Sequence, residues 1–281
     1  MNYHHSFHAG NFADVFKHVL LTRALLYLTQ KAAPLCYIDT HAGAGLYDLG
    51  EAAAQRTGEW RSGIGRLLRA TTTPECGALL APYLALLGAP RPDGSLAAYP
   101  GSPALAQSLL RAGDRMTFCE VQSQVLPELR ASLGRDRRAK CLELDGYVGL
   151  NAFIPPRERR GLALIDPPFE QADEFERLAQ ALIGARAKWP GGVYMAWYPL
   201  KALRAADRLA AQVAAARPGP TLRIELLVAS PDPDGRRLAG CGMIVLNPPY
   251  TLAAQCMVIL PELCRILGQN NERQWRILDL D

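Results

Sequence analysis

The sequence predicts an α/β fold in which helices cover both faces of a mostly parallel sheet, because seven short apolar runs alternate with stretches of helical period. The predicted strands are Leu35–Asp39, Met116–Glu120, Cys141–Asp145, Leu162–Asp166, Val193–Trp197, Leu222–Val228 and Met243–Asn247. The last two differ from the others, since the Pro-, Asp- and Gly-rich stretch Ser230–Cys241 between them has no helical period. A hairpin there predicts that the seventh strand runs antiparallel to the sixth.

The first helix is marked by a cap and by apolar spacing. Asn11 can cap its amino end, and Asp14 stands three residues later, in an arrangement like a capping box. Apolar residues then recur at helical spacing from Phe12 to Leu26, and Pro34 ends the segment. A helix is therefore expected ahead of the first strand.

One spacing is abnormal for a plain nucleotide-binding unit. In such a unit the acidic residue that binds a ribose follows the glycine loop by ~20 residues. Here the first acid at a strand end is Glu120, which lies 120 − 39 = 81 residues after Asp39. The stretch between them reads as helical and is broken into short pieces by prolines. We therefore expect one domain over residues 1–281 that carries a small helical insertion at 46–112.

Composition and charge are those of an ordinary globular protein. Of the 281 residues, 49% are apolar and 21% are charged, which excludes a disordered chain. The net charge of +4 permits an anionic partner without requiring one. The seven cysteines form no Cys-x-x-Cys pair, which is typical of a reducing compartment. Without a leader-like amino terminus or an apolar run of ~18 residues, we expect a cytoplasmic protein.

A glycine-rich turn, Asp39-Thr-His-Ala-Gly-Ala-Gly45, follows the first strand. Gly43 and Gly45 permit the backbone to approach a cofactor closely where a Cβ would clash. An acid at the strand end followed by Gly-x-Gly suits an adenosyl cofactor, and the missing third glycine of the dinucleotide fingerprint disfavours NAD. Taken alone, the turn is explained equally well as an ordinary connection between a strand and a helix.

Acids also end the second and third strands. The Glu120 carboxylate can accept hydrogen bonds from both hydroxyls of a ribose. Asp145, followed by Gly146, can accept an amino proton of a bound adenine ring. Ligands of open α/β sheets bind at these carboxyl ends. Each acid alone is most simply a solvated loop charge, but acids at three successive strand ends predict a site for S-adenosylmethionine.

The tetrapeptide Asp166-Pro167-Pro168-Phe169 ends the fourth strand and is the sharpest signal. The amino group of adenine is a poor nucleophile because its lone pair delocalises into the ring. The Asp166 carboxylate and the Pro167 carbonyl can accept both N6 protons, which localises that pair, and the proline rings fix the two acceptors. Phe169 offers a face on which an extruded base can stack. The motif predicts methylation of an adenine amino group, with a plain proline turn as the alternative.

A second tetrapeptide, Asn247-Pro248-Pro249-Tyr250, fits the same pattern. Because it ends the predicted antiparallel strand, it should lie at the sheet edge opposite to Asp166, and we interpret it as a structural turn. Methylation of a pyrimidine carbon would need a cysteine nucleophile beside the proline motif, and none is there.

Four of the five histidines lie within the first 18 residues. We interpret this segment as facing a ligand, because Tyr3 can stack on bases of RNA and Lys17 can reach phosphates. A metal site is disfavoured, since no cysteine pair accompanies the histidines. We expect His41, inside the glycine turn, to face the cofactor. For His18, a buried histidine bonded to the backbone is the alternative.

Basic residues form two clusters that precede strands. They are Arg135, Arg137, Arg138 and Lys140 in the first cluster, and Arg157, Arg159 and Arg160 in the second. We interpret both clusters as solvated faces, with phosphate contact as the alternative.

Taken together, these motifs give a chain that resembles the bacterial 23S ribosomal RNA adenine-N6 methyltransferases of the RlmJ type over nearly its whole length. The residues that carry the resemblance are Tyr3, His5-Ser-Phe-His-Ala-Gly-Asn11, Ala13-Asp14-Val15, Lys17-His18, Asp39-Thr-His-Ala-Gly-Ala-Gly45, Tyr99-Pro-Gly-Ser-Pro103, Asp145-Gly146, Asp166-Pro-Pro168, Trp197-Tyr-Pro199, and Gly242-Met-Ile-Val with Asn247-Pro-Pro249. The amino-terminal string and the Pro-Gly-Ser-Pro element are specific, because generic methylases lack them.

The resemblance implies a class I methyltransferase core with a small helical insertion, S-adenosylmethionine as methyl donor and one adenine of 23S ribosomal RNA as target. It implies cofactor contacts at His18, His41, Ser102, Glu120, Asp145 and Gly146. Asp166 would be the catalytic residue, and Tyr3 would lie at the entrance for RNA. Phe169 stands where the family often has Tyr, so an aromatic face is kept and a hydroxyl is lost.

Three functions remain open on the sequence alone. The first is the 23S ribosomal RNA adenine-N6 methyltransferase, which we expect to be monomeric, without a metal and without a membrane partner. The second is a DNA adenine or protein glutamine methyltransferase with the same motif, which the copy at Asn247 favours. The third is a non-catalytic RNA-binding module with a relic cofactor pocket, against which the intact glycine turn and the acids argue.

Overall fold

The computed structural model describes residues 4–201, 203–231, 237–269 and 273–280. Within these ranges the strands are β1 Cys36–Asp39, β2 Leu46–Tyr47, β3 Tyr99–Pro100, β4 Arg115–Glu120, β5 Ala139–Glu143, β6 Gly161–Ile165, β7 Val193–Leu200, β8 Thr221–Leu227, β9 Gly240–Leu246 and β10 Gln274–Asp279. The helices are α1 Phe12–Thr29, α2 Ala52–Thr57, α3 Glu59–Ser62, α4 Ile64–Arg69, α5 Pro74–Leu84, α6 Ser102–Leu109, α7 Leu126–Leu133, α8 Gly146–Phe153, α9 Glu174–Lys188, α10 Leu203–Ala215 and α11 Leu252–Leu267.

Eight of these strands form one sheet in the order β10-β8-β9-β7-β6-β1-β4-β5. Strands β5, β4, β1, β6 and β7 pair in parallel, whereas β9 is antiparallel to both β7 and β8. All seven predicted strands are present, and the predicted antiparallel direction of the seventh, β9, is confirmed. The carboxyl ends of the five parallel strands therefore meet at one edge of the sheet, where α/β proteins bind ligands.

The predicted count of seven strands was one too few for this sheet. The additional strand is β10, which pairs antiparallel with β8 from Gln274 opposite Leu227 to Asp279 opposite Leu222. As an edge strand it is only partly buried and mixes apolar with charged residues. No continuous apolar run therefore marks it in the sequence.

Helices pack on both faces of the sheet. Helices α1, α6 and α11 cover one face, and α8, α9 and α10 cover the other. Strands β1, β6 and β9 are buried along their whole length, as expected for strands that are covered on both sides. The predicted α/β class is confirmed.

Helix α1 is buried on nearly all sides, and side chains cap both of its ends. At the amino end, Asn11 Oδ1 accepts hydrogen bonds from two first-turn amides at 2.9 and 3.0 Å. At the carboxyl end, where carbonyls have no donor within the helix, Arg111 and Arg160 donate to two of them at 3.1 and 2.9 Å. These caps hold Lys17 and His18, both on α1, in a fixed position beside the sheet.

The chain between β1 and β4 holds a set of short helices. Helices α2 to α5 lie between the short strands β2 and β3, which pair antiparallel, and α6 then packs on α1, β1 and β4. That residues 46–112 form a subdomain of their own stays a prediction. Among the helices of the described ranges, none combines the length and the apolar composition needed to cross a membrane.

We expect Asn11→Ala to lower the free energy of unfolding by about 1–2 kcal/mol, because two first-turn amides of α1 lose their acceptor. Urea unfolding followed by circular dichroism measures the change. The control is Asn11→Ser, which keeps a capping oxygen but loses the hydrogen bond that Asn11 donates to Glu59. Equal destabilisation of the two variants would contradict the capping role.

Candidate functional site

A cavity of about 910 Å³ opens at the carboxyl edge of the sheet. The predicted site residues that line it are Lys17, His18, His41, Gly43, Ser102, Glu120, Asp145, Gly146, Asp166, Pro167 and Phe169. Tyr3, predicted to contact RNA, lies outside the described residues. The structure therefore brings together, at one cavity, every predicted site residue that it describes.

The glycine turn after β1 is bound to the end of β4. Gly43 N donates to Glu120 Oε2 at 2.9 Å, and Gln122 N donates to Glu120 Oε1 at 2.8 Å. Gly43 and Gly45 have φ values of 63° and 81°, in the left-handed region that favours glycine. Each oxygen of the Glu120 carboxylate can accept a further hydrogen bond, so the side chain keeps acceptor capacity for two donors of a ligand.

Asp145 begins α8 and holds its first turn close to the glycine turn. Its Oδ1 accepts hydrogen bonds from two backbone amides of α8, both at 3.0 Å, and its Oδ2 lies 3.8 Å from Arg177 Nη2. A Cβ on Gly146 would lie 2.3 Å from the carbonyl oxygen of Thr40. Only glycine therefore permits α8 to approach the end of β1 this closely.

Two histidines, the buried His18 and the half-buried His41, line the cavity as neutral rings. Burial lowers the pKa of His18 to about 3 and that of His41 to about 4. His18 Nδ1 shares a hydrogen bond of 2.9 Å with the Tyr99 hydroxyl, a side-chain partner rather than the backbone partner of the alternative interpretation. His18 Nε2 is buried and has no hydrogen-bond partner among the described residues. Such an atom can be satisfied by a ligand in the cavity.

Asp39, the first residue of the glycine-turn motif, lies fully buried and does not line the cavity. The Tyr37 hydroxyl donates to Asp39 Oδ2 at 2.8 Å, and His41 N donates to Oδ1 at 3.3 Å. Burial raises the pKa of Asp39 to about 6, although hydrogen bonds from Ser102 and Tyr37 act in the opposite direction. Asp39 therefore stabilises the glycine turn from the side that faces away from the cavity.

A chain of charged side chains links α1 to the end of β6. Lys17 Nζ lies 2.5 Å from Asp166 Oδ2 and 2.9 Å from Asp14 Oδ1. Asp14 Oδ2 accepts a hydrogen bond from Gly10 N and contacts His5 Nε2, each at 2.9 Å. The amino-terminal segment, helix α1 and the turn that begins at Asp166 are thereby held as one unit.

Lys17 stays charged in this position. Burial alone would lower its pKa, but Asp14 and Asp166 hold it well above the usual range. Likewise, burial alone would raise the pKa of Asp14, but the charges of His5 and Lys17 hold it well below the usual range. Two carboxylates bind the ammonium of Lys17, so in this structure the side chain holds Asp166 in position. The predicted contact of Lys17 with RNA phosphates stays a prediction.

Phe169 forms an aromatic wall beside Asp166. Its ring centroid lies 4.8 Å from that of Phe175 and 5.8 Å from that of Trp197, which also lines the cavity. The φ of Phe169 is 52°, in the left-handed region that residues other than glycine rarely adopt. Packing against the two neighbouring rings holds this backbone conformation. A planar group can therefore lie against aromatic side chains next to the carboxylate.

The second proline motif lies away from the cavity. Asn247 has a φ of 51°, and its side-chain amide donates to two carbonyls that precede β7, both at 3.3 Å. Residues 247–249 line a separate pocket with Arg160, which precedes β6. This is the sheet edge opposite to Asp166, as the strand direction predicts, and the hydrogen bonds support the interpretation as a structural turn.

Three side chains that line the cavity were not predicted from the sequence as site residues. Asp14 was recognised only as a capping residue, although an acid and a base three residues apart on an otherwise apolar helix already indicate a buried charge pair. Tyr147 and Arg177 also line the cavity, with the guanidinium 4.7 Å from the ring centroid. They lie on different helices, and no sequence pattern connects them.

The chain is similar to known proteins in sequence and in fold. A family model described as ribosomal RNA large subunit methyltransferase D, RlmJ, matches residues 32–277. A protein of Escherichia coli (strain K12) named ribosomal RNA large subunit methyltransferase J is 39% identical over 94% of this chain and 92% of its own length. One of the same name from Haemophilus influenzae is 37% identical over 99% and 98%. A solved structure of a Legionella pneumophila protein has a TM-score of 0.86 and 32% identity, and covers 97% of this chain and 98% of its own.

We expect the stability of the protein to fall with acid in a way that depends on His18. Its pKa is about 3 when folded and 6.5 as an ordinary value, so the unfolded chain gains a proton between these values and the folded chain does not. From about pH 7.5 to about pH 5, this one group should reduce the free energy of unfolding by about 2 kcal/mol. Urea titrations at the two pH values measure the loss.

The matched variant is His18→Gln, which has no titrating ring. Comparing the pH-dependent loss in the two proteins cancels the contributions of all other groups, Asp39 included. A loss of the same size in both proteins would contradict the neutral, buried state of His18.

Proposed function

The chain belongs to the RlmJ family of ribosomal RNA large subunit methyltransferases, and we propose that it transfers a methyl group from S-adenosylmethionine to N6 of one adenine in 23S ribosomal RNA. The observation that carries the proposal is the cavity that Asp166-Pro167-Pro168-Phe169 shares with the glycine turn and with Glu120 and Asp145. Methyl transfer to an amino group requires the cofactor and the acceptor to be held in contact, and one cavity offers groups for both.

The cavity residues fit an adenosyl cofactor. Gly43 and Gly146 leave bare backbone where a Cβ would clash with its surroundings. Glu120 can accept both ribose hydroxyls, Asp145 can accept an adenine amino proton, and the unpartnered Nε2 of His18 offers one further polar contact. We propose that the cofactor is held by His18, His41, Gly43, Ser102, Glu120, Asp145, Gly146 and Asp166. When bound, S-adenosylmethionine supplies an electrophilic methyl group on a sulfonium.

The catalytic acceptors are fixed before the substrate arrives. The ammonium of Lys17 binds Asp166 Oδ2, which leaves Oδ1 to accept one proton of the target amino group. The carbonyl of Pro167 accepts the other proton, and the proline rings fix the backbone that carries it. Together they localise the lone pair of the amino nitrogen for attack. Since the acceptors do not reorganise during the reaction, their full electrostatic effect is available in the transition state.

The aromatic wall provides the place for the target base. An adenine must leave its stack before its amino group can be reached, and it then needs a flat surface against which to lie. Phe169 lies directly after the proline pair, and Trp197 contacts its ring at the same cavity. We propose that the extruded adenine stacks on Phe169.

The structure offers less support for the two alternative functions, a methyltransferase for DNA or protein and a non-catalytic RNA-binding module. The copy at Asn247, which lent support to a DNA adenine or protein glutamine methyltransferase, lies at the other edge of the sheet. The motif residues remain open to a cavity, which argues against a relic pocket. A cytoplasmic location and a monomeric state stay predictions.

We expect Asp166→Ala to reduce methyl transfer roughly 10³-fold, because the amino group loses its charged acceptor. The variant should be less stable, since Lys17 keeps only Asp14 as a partner, but it should still fold and bind the cofactor through the other residues proposed to hold it. In the assay, the unmodified protein or the variant is incubated with S-adenosylmethionine and with 23S ribosomal RNA that was purified from cells lacking the protein. Mass spectrometry of the nucleosides then measures N6-methyladenosine, and calorimetry measures cofactor affinity.

The matched control changes the second motif. Asn247→Gly suits the positive φ at that position and should leave methyl transfer unchanged. Duplex DNA and a glutamine peptide serve as alternative acceptors. Normal turnover by Asp166→Ala, or faster transfer to DNA or peptide than to ribosomal RNA, would refute the proposed function.

A further inference from the structure

Basic side chains stand at one end of the cavity mouth. Lys201 follows β7 and Arg237 precedes β9, and both are exposed and line the cavity. Arg273 precedes β10, is exposed, and packs beside Gly268, whose neighbour in sequence also lines the cavity. We call Lys201, Arg237 and Arg273 the basic rim. All three residues lie at the carboxyl edge of the β7–β10 half of the sheet.

No carboxylate of the described residues pairs with the basic rim. Among these residues, Arg237 Nη2 donates only to the uncharged side chain of Gln269. Arginines that stabilise the fold differ, since Arg138, for example, lies 2.6 Å from a carboxylate oxygen of Asp136. Within the described part of the chain, the charges of the basic rim are therefore not offset by a carboxylate, and they can attract an anionic partner.

Several acids line the other end of the mouth, and the acid Glu59, which pairs with His8, also lines the cavity from α3. Glu120, Glu128 and Asp145 line the cavity at the β4–β5 half of the sheet, and Glu174 lines it from α9. Arg177 is the basic residue that offsets them there. A polyanion is repelled at this end, whereas S-adenosylmethionine, with a sulfonium and an ammonium against one carboxylate, carries a net positive charge. The two ends of the cavity mouth thus suit two substrates of opposite charge.

We propose that the RNA strand crosses into the cavity over the basic rim, with its phosphates against Lys201 and Arg237, and that the acidic end is left to the cofactor. This inference rests on the proposed function and names the surface on which the RNA lies. Phosphate contacts supply much of the affinity for RNA and set its path, while the target base alone enters the cavity.

The two basic clusters that the sequence analysis considered for phosphate contact lie at the edge of the sheet opposite to the cavity. They precede β5 and β6, at the amino ends of the strands. Arg160 donates to carbonyls at the end of α1 and Arg138 is paired with an acid, so both serve the fold. Arg135 and Arg137 are exposed and make no ion pair among the described residues. They provide a control with the same change of charge.

The test reverses charges at the basic rim with Lys201→Glu/Arg237→Glu and at the control cluster with Arg135→Glu/Arg137→Glu. Filter binding measures affinity for 23S ribosomal RNA from cells that lack the protein, over a series of KCl concentrations. The rim variant should bind ~10-fold more weakly at low salt, and the slope of log K against log salt should fall by about 1.4 for two lost phosphate contacts. The control variant should bind like the unmodified protein.

Two further measurements separate a local charge effect from misfolding. Calorimetry should show that the rim variant binds S-adenosylmethionine with unchanged affinity, because its substitutions lie at the other end of the mouth. Lys201→Arg/Arg237→Lys, which conserves both charges, should restore RNA binding. Weakened binding of both the cofactor and the RNA, without this rescue, would overturn the inference.

The outcomes for the inference and for the proposed function are distinct. If the unmodified protein methylates the RNA, but the rim and control variants bind it equally well, the proposed RNA-binding surface is refuted and the proposed methyltransferase function is supported. If the unmodified protein transfers no methyl group, and the rim variant alone binds RNA more weakly, the proposed methyltransferase function is refuted and the proposed RNA-binding surface is supported. If the unmodified protein does not bind the RNA, both fail.

Discussion

The buried ion pair between Lys17 and Asp166 is the interaction on which the rest of the site depends. It joins α1 to the end of β6 across 149 residues of sequence, and Asp14 supplies the second carboxylate that binds the same ammonium. A buried cation that lost one of these partners would be strongly destabilising, so α1 and the catalytic motif must keep their relative position. The cap at Asn11 and the arginines at the other end of α1 hold the helix where this contact exists. The position of Asp166 in the cavity thus follows from the packing of a buried helix.

The order of strands explains why acidic and basic side chains line the same cavity. Strands β1 and β6 are neighbours at the centre, so the glycine turn and Asp166 are brought side by side. The strands on one side of this centre end in the acids Glu120 and Asp145, and those on the other side carry Lys201 and Arg237 at the same edge. Glu120 and Asp145 therefore stand at the other end of the opening from Lys201 and Arg237, with Asp166 and the glycine turn between them.

Much of the fold and of the site could be predicted from the sequence, because buried parallel strands leave continuous apolar runs and their carboxyl ends must meet at one edge. The same rule separated Asp166 from its copy at Asn247 through strand direction alone. Edge strand β10 could not be predicted in this way, since it is paired on one side and half exposed. The ion pair between Lys17 and Asp166 also escaped prediction, because it joins residues that are distant in sequence and depends on how α1 packs.

The turn from Asp166 to Phe169 has little conformational freedom left to lose. Proline rings restrict two of its residues, Lys17 fixes the first side chain, and two aromatic rings hold Phe169 in its left-handed conformation. Ordering a flexible partner opposes association through lost entropy, and a surface that is already ordered avoids that loss. Under the proposed function, the entropic cost of capturing an adenine falls on the nucleic acid, and a loop or bulge whose base is already unstacked would bind this surface at the smallest cost.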